Sequence, residues 1–139
     1  MTKANPAYTF SMQVDYGKYL EFAAATGFKP KPEKDNPVVP PTFLATAEAW
    51  LPPGTWPAGE ILGFDLKRSL HGEQEFTFRK PVRVGDRLTG RIWLESTVSK
   101  TGSRGGEMRF SIWVTDFDDE NGNSVAQSKM TIVETAPGK

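Results

Sequence analysis

Residues 72–86 read Gly-Glu-Gln-Glu-Phe-Thr-Phe-Arg-Lys-Pro-Val-Arg-Val-Gly-Asp. Phe76 and Phe78 alternate with polar residues, the period of a half-buried strand. The strand ends in a basic turn, and the Gly85-Asp86 pair marks a second turn, after which Arg87-Leu88 opens the next strand. Residues 87–98 and 107–117 alternate in the same way, separated by the glycine-rich loop Lys100–Gly106. Asn121-Gly122 is a strong hairpin signal, and residues 124–134 form the last strand. From Glu73 onward the chain therefore reads as antiparallel strands and turns.

The first half reads differently. Residues 7–14 look like a short strand. Asp15 is a good N-cap, with Val14 and Tyr19 placed as a hydrophobic staple. Tyr16, Tyr19, Leu20 and Ala23 fall at helical spacing, and Gly27 can end that helix. Five prolines between residues 28 and 41 exclude a helix or a central strand there, so an extended excursion is expected. Thr42–Leu51 is apolar nearly all round, with Glu48 its only charge, which predicts a buried helix stopped by Pro52-Pro53-Gly54. The fold class is α+β, an antiparallel sheet wrapped around one long central helix. Residues 1–139 are expected to form a single domain.

Hairpin geometry extends the prediction. A loop centred near Ser103 sets Trp93 opposite Trp113, and the Asn121-Gly122 turn sets Met130 beside Trp113. One face then carries Trp93, Trp113, Phe117, Met130 and Ile132 with the small Ala126 and Ser128. The other carries Leu88, Ile92, Leu94, Met108, Phe110, Ile112 and Val114. The small residues assign the tryptophan face to the helix. The remaining apolar face calls for a second subunit or domain. A single bulge would reshuffle part of this pattern.

Composition narrows the function. Seventeen basic and 17 acidic residues give a formal net charge of +0, which argues against a nucleic-acid partner. The chain has no cysteine, which excludes disulfides and thiolate metal sites, and His71 is its only histidine, so no metal site is expected. No apolar run reaches membrane-spanning length, and Met1–Pro6 lacks the apolar core of a signal peptide. A cytoplasmic protein with no membrane partner is the expectation.

Several stretches, Pro40-Pro41-Thr42-Phe43-Leu44, His71-Gly72-Glu73-Gln74-Glu75-Phe76 and Gly85-Asp86, together resemble the MaoC-like dehydratases and hydratases, specifically their N-terminal-half type. The resemblance covers roughly residues 10–134. It implies the hot-dog fold and action on acyl thioesters: water is added to a trans-2-enoyl thioester or removed from the (R)-3-hydroxyacyl thioester. The family's Asp and His orient and deprotonate the water, while backbone donors at the start of the central helix polarise the thioester carbonyl.

Active members carry Gly-Asp-x-Asn-Pro-(Leu/Ile/Val)-His just before that helix. The corresponding stretch here is Glu33-Lys34-Asp35-Asn36-Pro37-Val38-Val39. Asn36-Pro37-Val38 fits, but Lys34 stands at the Asp position, with Asp35 one place late, and Val39 stands at the His position. Pro40 and Pro41 also lack N–H donors where the helix begins. The resemblance therefore implies a half that lacks its own dyad and shapes the acyl pocket beside a catalytic MaoC-like subunit, in a heterodimer or heterotetramer. Its substrate would be an acyl-CoA or acyl-carrier-protein thioester, with no cofactor.

Two side chains are candidates for proton transfer. His71 either enters the acyl site or anchors the long loop to the first strand of the main sheet. Glu48 is either a desolvated base on the central helix or a rim carboxylate paired with an arginine. Phe43, Ala47 and Trp50 are candidates for lining the pocket. Arg79, Lys80, Arg83 and Arg87 either hold the phosphates of coenzyme A or an acyl-carrier surface, or guard a sheet edge. Asp86 is expected to serve its turn. The loop 54–70, with Trp56, Ile61, Leu62 and Phe64, is a candidate cap over the acyl group. The alternative functions are a homo-oligomeric acyl-CoA thioesterase using Glu48 and a non-enzymatic acyl-thioester binding protein.

Overall fold

A computed structural model describes residues 6–30, 36–51, 63–103 and 105–137. The elements run β1 (Tyr8–Gln13), α1 (Tyr16–Thr26), a 3-10 helix (Pro41–Trp50), a 3-10 turn (Leu66–Arg68), β2 (Ser69–Phe78), β3 (Arg87–Thr101), β4 (Glu107–Asp118) and β5 (Ser124–Glu134). The strands form one antiparallel sheet in the order β1-β3-β4-β5-β2. β1 and β2 are its edges.

Local chemistry fixes α1. The Asp15 side chain accepts from the Lys18 N–H at 3.2 Å, and Gly27 closes the helix at φ 70°, a conformation that costs glycine little. Val14 and Tyr19 are both buried, as a staple requires. Phe22 then meets Phe43 edge-on at 5.5 Å. The excursion before the 3-10 helix is pinned where it is described. Val39 N–H donates to the Val82 carbonyl at 2.9 Å, and Val84 N–H to the Pro37 carbonyl at 3.0 Å.

The central helix is not the long, fully buried helix predicted. It is a ten-residue 3-10 segment. Its bonds close over three residues: Phe43 N–H to Pro40 C=O at 2.9 Å and Leu51 N–H to Glu48 C=O at 3.2 Å. The Thr46 hydroxyl reinforces this winding by donating to the Phe43 carbonyl at 2.8 Å. Phe43, Leu44 and Ala47 face inward, whereas Ala45 and Ala49 are exposed. An apolar stretch rich in alanine does not need burial all round.

Bulges correct the face assignment. Trp113 does pair with Met130, as the Asn121-Gly122 turn requires. In the β3–β4 hairpin, however, the register shifts between Leu94 and Ser96, so Trp93 lies opposite Val114 and Leu94 opposite Trp113. Side chains alternate between faces, so Leu88, Ile92 and Leu94 join the helix-facing side and Trp93 leaves it. On the outer face Trp93 Nε1 donates to Asp116 Oδ2 at 2.9 Å, and Gln127 donates to Asp116 Oδ1 at 2.8 Å. Lys129 bonds Glu95 at 2.7 Å nearby. That half of the outer face is therefore polar, contrary to the apolar face predicted. Its other half keeps an apolar row: Val98, Phe110, Val133 and Leu70 stand in register across β3, β4, β5 and β2. Leu70 and Val98 are 62% and 50% exposed.

Two clamps finish the sheet. Glu134, buried, accepts from Arg109 and from the Asp65 N–H at 2.9 Å, while Arg109 also donates to the Gly63 carbonyl at 3.1 Å. This ties residues 63–68 to the sheet as the chain enters β2. In the β4–β5 turn the Asp119 carboxylate accepts from the N–H groups of Asn121 and Asn123, with Gly122 at φ 78°. Its bond with Lys80 and those turn amides lower the Asp119 pKa to about 2. Asp86 likewise serves its turn, accepting from the Arg83 N–H at 2.8 Å.

Candidate functional site

A cavity of about 180 Å³ lies between the 3-10 helix and the inner face of the sheet. Leu44, Ala47, Ile92, Phe117 and Met130 give it apolar walls. Its polar side is formed by Glu48 from the helix, His71 and Gln74 from β2, Thr115 from β4 and Ser128 from β5. Trp113 also borders it, and its buried Nε1 has no hydrogen-bond acceptor among the described residues.

The site brings together the two side chains that the sequence offered separately. Burial raises the pKa of Glu48, and the charge of His71 works against that rise. Neither side chain makes a hydrogen bond among the described residues. His71 therefore does not anchor the long loop through its imidazole; the Glu134 clamp anchors the described part, residues 63–68. Nor is Glu48 paired with an arginine among those residues.

The convergence depends on a bulge. The β2–β5 register shifts between His71 and Glu73. Strict alternation would set residues 71 and 74 on opposite faces; the bulge sets both on the inner one. Gly72 occupies the irregularity, where a Cβ would come within 3.1 Å of Val133. Gln74 Nε2 donates to Ser128 Oγ at 2.6 Å and to the Lys129 carbonyl at 3.1 Å, which stiffens the cavity's polar wall. Gln74, Thr115 and Met130 were not among the site candidates read from the sequence.

The other candidates fall in different places. Ala47 lines the cavity, while Phe43 is fully buried in the core against Phe22 and Trp50 packs against that core. The basic residues stand away from the cavity. Lys80 pairs with Asp119, Arg83 donates to the Asn36 carbonyl at 3.1 Å, and Arg79 and Arg87 are exposed. Lys34, Asp35, Trp56, Ile61 and Leu62 lie outside the described residues, and Phe64 packs on the core.

The pKa shift of Glu48 carries a sign. Because the folded state raises it, the protonated carboxyl is the form folding favours. That contribution is full below the ordinary value of 4.5 and is lost as pH rises through the folded-state pKa. Glu48→Gln is expected to raise the melting temperature at mildly alkaline pH and leave it nearly unchanged below 4.5. Thermal melts across that range check this, and an equal effect at both ends would contradict it.

Comparison with known proteins agrees with this geometry. The family described as FAS1-like, dehydratase domain region, matches residues 8–128. A UPF0336 protein of Streptomyces avermitilis is 32% identical over 135 residues, covering 89% of this chain and 85% of the relative. Among solved structures, the fold is shared with the HadBC (3R-hydroxyacyl-ACP dehydratase) complex of Mycobacterium tuberculosis, at TM-score 0.69 and 18% identity, covering 96% of this chain and 99% of that one. It is shared also with the ChsH1–ChsH2 complex of the same organism, at TM-score 0.70 and 18% identity, covering 98% and 87%. No described helix is long and apolar enough to cross a membrane. The sheet is that of the hot-dog fold, and the chain belongs to the FAS1-like dehydratase domain family, as the MaoC-like resemblance of its sequence implied.

Proposed function

We propose that the chain is the supporting subunit of an (R)-specific enoyl-thioester hydratase or 3-hydroxyacyl-thioester dehydratase, shaping the acyl pocket beside a catalytic MaoC-like partner. The observation that carries this reading is Val39. It stands at the family's imidazole position, is 5% exposed, and has its N–H engaged by the Val82 carbonyl. An isopropyl group transfers no proton. The start of the 3-10 helix supports the same reading. Pro40 and Pro41 have no N–H, and the Phe43 N–H already bonds Pro40.

A partner has a natural place. β2 is a sheet edge, with one side of its backbone free to pair with another chain. It carries His71 and Gln74 of the cavity and exposed Leu70 of the apolar row. A hot-dog partner added along β2 would bring its own catalytic residues beside the cavity. The HadBC and ChsH1–ChsH2 assemblies, which share this fold, are themselves complexes.

The test is hydration of crotonyl-CoA and a longer enoyl-CoA, followed by loss of enoyl-thioester absorbance. The chain alone is expected to be inactive, and the chain co-purified with a MaoC-like protein encoded beside it to be active. Turnover by the chain alone, abolished by His71→Ala, overturns the proposal. Burial of Glu48 favours a second reading, thioester hydrolysis with Glu48 as base. Release of free coenzyme A sensitive to Glu48→Gln distinguishes it.

A further inference from the structure

We propose that Glu48 and His71 determine specificity in this pocket, admitting short acyl groups that carry a hydrogen-bonding substituent and disfavouring saturated chains. The inference rests on the acyl-pocket reading above and names which acyl groups that pocket takes.

Size sets the first limit. A cavity of about 180 Å³ holds roughly six water-sized groups at about 30 Å³ each. That suits a butyryl or hexanoyl group, and a long chain exceeds it. The apolar walls from Leu44, Ala47, Ile92, Phe117 and Met130 suit the carbon skeleton.

Polarity sets the second limit. Not every polar group in the wall is available to a ligand. Gln74 is already committed to Ser128 and the Lys129 carbonyl. Glu48 and His71 are the two ionisable side chains on the wall, and neither is hydrogen-bonded among the described residues. They approach from different elements, the 3-10 helix and β2, so they converge on one volume rather than lying side by side on a surface. A saturated chain displaces water from both and returns no hydrogen bond. A hydroxyl on the acyl chain returns one, donating to a carboxylate or imidazole nitrogen and accepting from a protonated partner. A pocket built for a hydrogen bond rejects the analogue that lacks it more strongly than an apolar pocket rejects an added hydroxyl.

Calorimetric titration of the full chain with 3-hydroxybutyryl-CoA, butyryl-CoA and dodecanoyl-CoA tests this. The hydroxylated ligand is expected to bind about tenfold tighter than butyryl-CoA, the worth of one good hydrogen bond. Dodecanoyl-CoA is expected to bind no better than butyryl-CoA. Glu48→Leu should collapse the preference to within about threefold, the difference left once that hydrogen bond is removed. Glu48→Gln, which keeps the shape and can still hydrogen-bond, should retain part of it and shows that any loss is not misfolding. Equal binding of the hydroxylated and saturated ligands overturns the proposal, as does binding of neither. The two readings fail separately. Hydration by the chain alone, with the preference intact, overturns only the subunit role. A lost preference in a chain that still needs its partner for turnover overturns only this inference.

Discussion

Gly90→Ala is expected to destabilise the fold by about 3 kcal/mol, although it adds one methyl group. Gly90 faces Phe10 on β1 and Phe117 on β4 in register. Phe10 lies across it: a Cβ at residue 90 would stand 2.2 Å from the end of that ring, with two more ring atoms within 2.7 Å. No rotation of a methyl relieves such an overlap. The ring must leave a site where it is 6% exposed and where it meets Phe117 edge-on at 6.3 Å. The penalty is thus that of displacing a buried phenylalanine, offset slightly by the better strand propensity of alanine. A double-mutant cycle isolates the cause. In a Phe10→Ala background, Gly90→Ala should cost almost nothing or stabilise slightly, leaving a coupling energy close to the whole single-mutant effect. Denaturant unfolding of the four proteins measures it, and additive effects would refute the steric account.

Glu134→Ala is the second large effect, expected at about 2–3 kcal/mol. Its carboxylate is 6% exposed and answers Arg109 together with the Asp65 N–H. Removing it leaves a buried amide without an acceptor. Arg109 is 44% exposed and can turn to water, which keeps the cost below that of a fully buried pair. Glu134→Gln should recover part of the loss through the amide oxygen. Because the clamp holds the chain where it enters β2, hydrogen exchange should quicken at residues 63–70 more than in β3 and β4. Uniform acceleration would mean that Glu134 supports the whole sheet rather than this entry.

The sequence was most legible where structure is set by neighbours in the chain. Asp15 and Gly27 bound α1 because capping is a matter of a few adjacent bonds. The Asn121-Gly122 turn set the β4–β5 register, and Trp113 did meet Met130. Legibility failed at the bulges, which add a residue with no mark in composition. The one at Glu95 exchanged Trp93 for Ile92 on the inner face. The one at Gly72 brought His71 and Gln74 to the same side. Glu48 and His71 were each visible as isolated ionisable residues. Their meeting was not, because it needs both the bulge and the tight winding of a 3-10 helix that the apolar pattern of Thr42–Leu51 did not distinguish from an α-helix. The basic residues after β2 were legible as a cluster, but Lys80 and Arg83 turned to different partners, which only the folded turns decide.

The extra residue near position 95 makes β3 two reading frames joined end to end. Inward positions are even-numbered before it, as with Leu88 and Ile92, and odd-numbered after it, as with Thr97 opposite Ser111. Deleting Glu95 would merge the frames and force one half of the strand to turn inside out, with either Trp93 swung into the cavity or the hairpin's far half reversed. A one-residue deletion in the 101–106 loop has no such reach, since it lies beyond the last paired residues. Two deletions of equal length, a few residues apart, thus have opposite fates: one is trimmed away by the loop, and the other rewrites the wall of the pocket.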